Sequence, residues 1–299
     1  MSNRTLNIII VFVTVLWGIS WASAKYLSMR MPLMELTFWR FVVTSIFAYV
    51  ALLAVGQRSI AIPRGSSLGW IFGGGVFMGV AQLLNFAGLD AGYAGLASII
   101  FNATSPIFSF LLAFIFLRRP VSSSDSIALL LGAFGAMVIF NFWKLDTSRV
   151  ILGGNFYFLI HALGFAFVTL CSQKASLRSS AGAFTLYMGA IGALVVLPFC
   201  TYDGLLLLFS KDWVFWANLL FMAGVSGGFA TTVYFFAVSK LGSARSSSFI
   251  FLVPLSSVVA ANIAFDESIE IWSIVGGALA LIAVYLLNTK NKYQDRSAL

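Results

Sequence analysis

Asn85–Phe110 reads NFAGLDAGYAGLASIIFNATSPIFSF, and Val233–Val258 reads VYFFAVSKLGSARSSSFIFLVPLSSV. Set one over the other, at an offset of 148 residues, Pro106 stands on Pro254, Phe101 on Phe249, Ser98 on Ser246 and Ala94 on Gly242. The identities are few. Yet the same gap-free offset places Gly79 on Gly227 and Phe86 on Tyr234, and it carries through the rest of the chain. Self-similarity at one fixed offset marks a duplicated unit.

Both stretches are apolar enough for a bilayer, and so is the chain around them. Its 299 residues are 60% hydrophobic and 9% charged, with a mean hydropathy of +0.97. A soluble domain carries about 25% charged residues, so an aqueous surface is excluded. A membrane-spanning helix needs about 20 apolar residues. Ten segments qualify, at about 6–24, 36–55, 68–89, 95–117, 126–142, 151–172, 182–201, 213–237, 246–265 and 271–288. The first run ends in Ala22-Ser23-Ala24, which imitates a signal-peptidase site. Its length, and its counterpart in the second half, make it a first membrane helix instead.

The 148-residue offset lays five helices on five, dividing the chain into 1–146 and 147–299 within one membrane domain. Five is odd, so the second unit crosses the membrane upside down relative to the first. Inverted repeats are a signature of secondary transporters, whose site lies near the midplane where the repeats meet. The fold class expected is therefore all-α and integral to the membrane, with ten helices as two inverted repeats.

Basic residues give the orientation. With the N-terminus inside, twelve Lys and Arg fall in the inner segments and five in the outer ones. Both termini are expected in the cytoplasm, in the cell (inner) membrane. The net charge of +8 is scattered singly and in pairs, with no basic stripe, so nucleic acid is not an expected partner. The expected partners are a small-molecule substrate and the lipid bilayer, with the chain as monomer or homodimer. No cofactor or metal site is expected: there is no CxxC or zinc spacing, and no GxxxxGK[ST] loop for ATP. Cys171 and Cys200 fall near opposite faces, too far apart for a disulfide.

Polar residues inside spans are costly and face protein or water. Ser98, Asn102, Ser105 and Ser109 lie along one stripe of the fourth helix, either packing against a neighbour or lining a cavity. (The sequon Asn102-Ala103-Thr104 lies inside the membrane and is read as accidental.) Gln82 and Asn85 sit one turn apart on the third helix. Their repeat positions, Ala230 and Val233, are apolar, but Thr231 and Tyr234 stand beside them. Trp17 and Trp21 share a face of the first helix and either form an aromatic wall or pack against lipid. His161, the single histidine, either couples protons or stays neutral in a hydrogen bond. Arg40 either snorkels to the interface or reaches into a vestibule toward an anion; a structural role is the expectation. Every acid falls at a helix end or in a loop, which disfavours a proton or sodium relay and leaves no catalytic set. The candidate substrate residues are thus Trp17, Trp21, Gln82, Asn85, Asn102, His161 and Tyr234. Pro106 and Pro254 are candidate hinges, since each removes a helix hydrogen bond at a repeat-related position.

These features resemble the drug/metabolite transporter superfamily, EamA type. The resemblance is carried by LWGISWASAKY (16–26), LTFWRF (36–41), the stretch from Asn85 through RRPV (118–121), and the stretch from Val233 through FDESI (265–269). It covers nearly the whole chain. Leu-Gly-Glu is common in the family at the end of this segment; Phe265-Asp266-Glu267 stands there in the second half and Leu117-Arg118-Arg119 in the first. The resemblance implies a ten-helix secondary transporter, closest in style to the family's amino-acid exporters. It leaves sugars, nucleotides, quaternary amines and drugs open as substrates.

Overall fold

The computed structural model describes residues 3–54, 65–91, 94–144, 155–265 and 269–289. We number the membrane helices α1 (Asn3–Ser28), α2 (Leu33–Ala54), α3 (Ser66–Ala91), α4 (Ala94–Leu117), α5 (Ser123–Ile139), α6 (Asn155–Ala175), α7 (Ala181–Val196), α8 (Trp213–Leu241), α9 (243–265) and α10 (Ile271–Thr289). No strand occurs among the described residues. All but α5 are long and apolar enough to cross a membrane; α5 is an apolar helix of 17 residues.

Local chemistry explains several boundaries. The Ser122 hydroxyl accepts the Asp125 N–H at 3.1 Å and the Asp125 carboxylate accepts the Ser122 N–H at 3.1 Å, a capping box that starts α5. Ser180 caps α7 through the Ala183 N–H, and Asp212 caps α8 through the Phe215 N–H at 2.8 Å. Between α7 and α8 the chain makes a short helix, Tyr202–Leu206. Gly242 joins α8 to α9 at φ +86°, a conformation glycine adopts without strain, and the next N–H, of Ser243, reaches Gln173 Oε1 at 2.7 Å.

The pattern of packing carries the duplication. Raising each helix number by five, modulo ten, turns the α3–α6 contact into α8–α1 and α4–α6 into α9–α1. It turns α3–α7 into α8–α2, and it maps α2–α7, α4–α9 and α5–α10 onto themselves. All of these contacts are present, so the halves are equivalent in space as two inverted repeats. Lipid-facing surface is apolar: Phe12, Ile46, Phe72, Phe114, Leu130 and Leu281 are among the exposed side chains.

Hydrocarbon gives helices no hydrophobic reason to associate, so close contact relies on small residues. The α5–α10 pair meets backbone to backbone at Gly135 and Gly276. A Cβ on Gly276 would stand 2.5 Å from the Gly135 carbonyl oxygen. In α3, Gly75 and Gly79 pack against Ile191 and Val195 of α7, whereas nothing lies within 4 Å of a Cβ placed at Gly69 or Gly73. Only one of the two GxxxG pairs therefore serves packing.

Two helices depart from a plain α path. In α8, Leu220–Ala230 winds as a wide π helix between two α segments. In α9, a turn of α-helix at Ser243–Ser247 tightens to 3-10 over Ser248–Leu252 before α resumes at Val253–Phe265.

Candidate transport site

Aromatic side chains from both halves converge at the centre. Trp17 of α1 lies 5.0 Å from Tyr234 of α8 and 6.0 Å from Phe165 of α6, measured between ring centroids. Phe101 of α4 completes the set, 5.5 Å from Phe165 and 4.9 Å from His161. The indole N–H of Trp17 donates to the Ser226 carbonyl at 3.3 Å, and the Thr231 hydroxyl donates to the same oxygen at 3.2 Å. That carbonyl belongs to the π helix, where bonding across an extra residue alters which carbonyls remain available. Phe165 and Ser226 were not among the residues read from the sequence. Phe165 is one of 30 phenylalanines, and Ser226 contributes only its backbone.

Polar groups lie on the helices that carry or border this cluster. His161 bonds through Nδ1 to the Ala81 carbonyl at 3.1 Å; a carbonyl accepts only, so Nδ1 carries the proton and Nε2 of the neutral ring is left as an acceptor. The next residue of α3, Gln82, is 3% exposed, and its Oε1 has no hydrogen-bond partner among the described residues. Asn102 is fully buried on α4, as are Ser105 and Ser109, whose hydroxyls find no partner among the described residues. The side chain of Ser98, the fourth member of that stripe, lies outside the described residues. Tyr234 is fully buried, and its hydroxyl finds no hydrogen-bond partner among the described residues, while the Thr169 hydroxyl of α6 donates to the Phe165 carbonyl at 3.0 Å. Asn85 is half-buried one turn from Gln82, and Trp21 is 38% exposed one turn beyond Trp17. The cluster thus gathers Trp17, His161 and Tyr234 directly, with Gln82 beside His161 along α3. Asn85 and Trp21 stand half-buried or exposed, outside the ring contacts.

The two prolines occupy different settings. Pro106 sits inside continuous α4 and withholds the N–H that the Asn102 carbonyl would accept in an unbroken helix. Pro254 is the second residue of the last α segment of α9, and the Ile250 carbonyl already accepts the Val253 N–H. The break in α9 therefore lies in the 3-10 turn before the proline, and the paired kinks expected from the repeat are unequal. We expect Pro106→Ala to add one hydrogen bond, worth about 1 kcal/mol, and to slow flux about fivefold with binding unchanged. Pro254→Ala should change flux less than about twofold, since it completes no new bond. Separate binding and flux measurements on each variant check this; equal slowing in both would restore the symmetric hinge.

The two ends of the helix bundle are tied differently. At the end holding the chain termini, Arg245 Nε donates to Asn288 Oδ1 at 2.7 Å, and Asn288 Nδ2 donates to Ser248 Oγ at 3.1 Å and to the Val284 carbonyl at 2.8 Å. Arg245, Asn288 and the whole run Ser243–Ser248 are buried. At the other end, Glu35 of α2 accepts the Thr201 N–H at 2.8 Å and its hydroxyl at 2.9 Å, and Lys144 pairs with Glu270 at 3.0 Å. Along α9, residues 243–254 are buried throughout, while 255–260 are half-buried or exposed. Among the described residues, α9 is thus buried along its termini half and partly exposed beyond Pro254. Among the described residues, no group of three His, Cys, Asp or Glu side chains comes together in a way that could hold a metal.

Comparison with known proteins agrees with this architecture. The model of the EamA-like transporter family matches residues 5–141 and again 152–289. An Archaeoglobus fulgidus protein named only as an uncharacterized transporter is 25% identical over 297 residues, covering 96% of this chain and 99% of its own. The S-adenosylmethionine uptake transporter of Rickettsia conorii is 23% identical over 286 residues, covering 91% and 89%. A solved crystal structure shares the fold with a TM-score of 0.75 at 17% identity, covering 96% of this chain and 98% of that one. Two family matches on one chain, over the two halves that pack as equivalents, make this protein a membrane transporter and a member of the EamA-like transporter family.

Proposed function

We propose that the protein is a secondary transporter that exports amino acids or related zwitterions across the cytoplasmic membrane by alternating access. The observation that carries this reading is the chemistry of the centre. Imidazole, hydroxyl and aromatic groups from both halves meet there, with buried amides on the α3 and α4 helices that border it and no carboxylate among the described residues of the cluster. Such a lining suits a solute that is polar at one end and apolar at the other better than a polyanion. The reading also takes 1–146 and 147–299 as the units that move, with both termini cytoplasmic, Trp17, Trp21, Gln82, Asn85, Asn102, His161 and Tyr234 around the substrate, and Pro106 and Pro254 in the gates.

A second reading is supported by the relatives named as S-adenosylmethionine uptake transporters. That metabolite is itself an amino acid with a sulfonium cation, which aromatic faces attract. The other small metabolites and drugs carried within the superfamily form the wider alternative.

The test is flux of labelled solutes into liposomes that hold only this protein. Saturable amino-acid flux, against none in empty liposomes, is the expected result. Flux of S-adenosylmethionine alone favours the second reading, and flux confined to sugars or quaternary amines overturns the first.

A further inference from the structure

The connection between α7 and α8 is a structured strap rather than a bare loop. A 3-10 turn at Leu197–Phe199 leads into the short helix Tyr202–Leu206, and a second 3-10 turn at Leu207–Ser210 leads to Asp212, the cap of α8. One side of this strap is clamped to α2. Buried Glu35 accepts both the N–H and the hydroxyl of Thr201, and a Cβ on Gly204 would run into the same carboxylate. Trp39 donates its indole N–H to the Leu205 carbonyl at 3.1 Å, and its ring meets Phe209 edge-on at 5.7 Å. Leu208 is buried in a cluster that includes Leu27, Leu36, Phe215 and Leu219.

The other side of the strap is bare. Tyr202, Leu206, Phe209 and Trp213 follow at i, i+4, i+7 and i+11, which is one helical face. With Phe199 they are between 45% and 78% exposed. A folded chain rarely leaves so large an apolar strip to water. Asp203 and Ser210, both exposed, form a polar edge beside it. The strip is continuous with lipid-facing side chains on both neighbours, Leu194 of α7 and Leu220 of α8, which are themselves exposed. A tyrosine and a tryptophan flank its middle, and these are the residues that settle at headgroup level with an apolar body and a polar tip. The strip belongs to one half only. The offset of 148 sets its five residues on Ala51, Ala54, Arg58, Ala61 and Gly65, none of them large and apolar, so duplication does not account for it. We propose that residues 199–213 are an interfacial anchor, and that its partner is the headgroup region of the lipid leaflet opposite the chain termini. The five side chains seat about 5–10 Å into the headgroup and acyl boundary, while Glu35 and Trp39 tie the seated strap to α2. Lys211 stands against Asp203 and Asp212, so apolar burial holds the strap and anionic lipid is not required. The anchor does not depend on which solute is carried.

The experiment uses the full-length protein in phosphatidylcholine liposomes. Cys200 is replaced by serine, and Cys171, fully buried, stays in place. Leu206→Cys and Phe209→Cys carry a bimane label one at a time, with Asp203→Cys as the aqueous control. Phosphatidylcholine bearing a nitroxide high on its acyl chain is the membrane quencher, and iodide is the aqueous one. The nitroxide lipid should quench the labels at 206 and 209 about threefold more than the label at 203, and iodide should show the reverse order. The tryptophan emission that disappears in Trp213→Phe should be quenched by the same lipid, a reading that needs no introduced cysteine. Iodide reaching positions 206 and 209 as freely as 203 would place the strip in water and overturn the proposal. Neither quencher reaching them would show that protein covers the strip, a second copy or another chain, and would overturn it equally.

Discussion

Gly276→Leu should leave almost no folded protein. On α10 this residue faces the backbone of α5, with a new Cβ 2.5 Å from the Gly135 carbonyl oxygen and 2.6 Å from the Ile139 N–H nitrogen. Neither is the tip of a side chain that could swing away. From the other helix, a Cβ on Gly135 would meet the Gly276 carbonyl oxygen at 2.8 Å and Ala280 N at 3.0 Å. The helices must part along their length to admit even one carbon. Overpacking a core costs about 1–3 kcal/mol, and more where backbone has to move. That is a large share of a stability of about 5–15 kcal/mol. Yield of monodisperse protein by size-exclusion chromatography is the measurement. Gly73→Leu is the control, since nothing lies within 4 Å of its Cβ, and it should match wild type. Normal yield of Gly276→Leu would show that α5 and α10 are not packed this closely.

Asn288→Leu should be the most damaging change in the polar cluster at the termini end. It removes the Oδ1 that Arg245 Nε reaches and the amide that holds Ser248, while a guanidinium 5% exposed stays in place. Taking one partner from a buried charge leaves its desolvation cost uncompensated. A hydrogen bond to a charged group is worth about 1.5–3 kcal/mol, so the melting midpoint should fall by about 5 °C. Arg245→Met should cost less, because the charge and its desolvation penalty leave together. The pair Asn288→Leu with Arg245→Met should recover part of the loss. Thermal unfolding of the three proteins in one detergent decides it. If Arg245→Met were the most damaging of the three, the charge itself would be the stabilising element.

The spans and the duplication were legible because hydropathy and a fixed offset need only residue type, and the bilayer imposes one length on every helix. Trp17, His161 and Tyr234 could be singled out because such residues are rare or costly inside a membrane. Phe165 could not, since an aromatic at the centre looks like any aromatic facing lipid. Whether Arg40 snorkels or points inward depends on which helix lies opposite, and that is a property of packing. The 3-10 turn at Ser248–Leu252 escaped notice because its residues are as apolar and as helix-tolerant as those of the α-helix around it. A matched pair of prolines suggested matched kinks; the actual difference depends on which N–H the Ile250 carbonyl accepts, and composition does not record it.

The wide stretch Leu220–Ala230 bears on how the two halves should be aligned. A π turn closes on the fifth residue instead of the fourth, so it takes in more chain than the α turn it replaces. Residues just beyond it can stand later in number than a gap-free copy would give them, while Ser246, Phe249 and Pro254 are back on the 148 offset. In α3, which is α throughout, the polar pair is Gln82 and Asn85. The offset of 148 points to Ala230 and Val233, and the polar residues instead stand one place later, at Thr231 and Tyr234. That displacement has the sense a widened helix demands. The duplication is thus one place out of phase in letters at this turn, where α8 carries the tyrosine that packs against Trp17 and α3 carries amides. Deleting one residue from 220–230 should straighten this turn, bring Tyr234 into step with Asn85 in number, and leave its ring against Trp17.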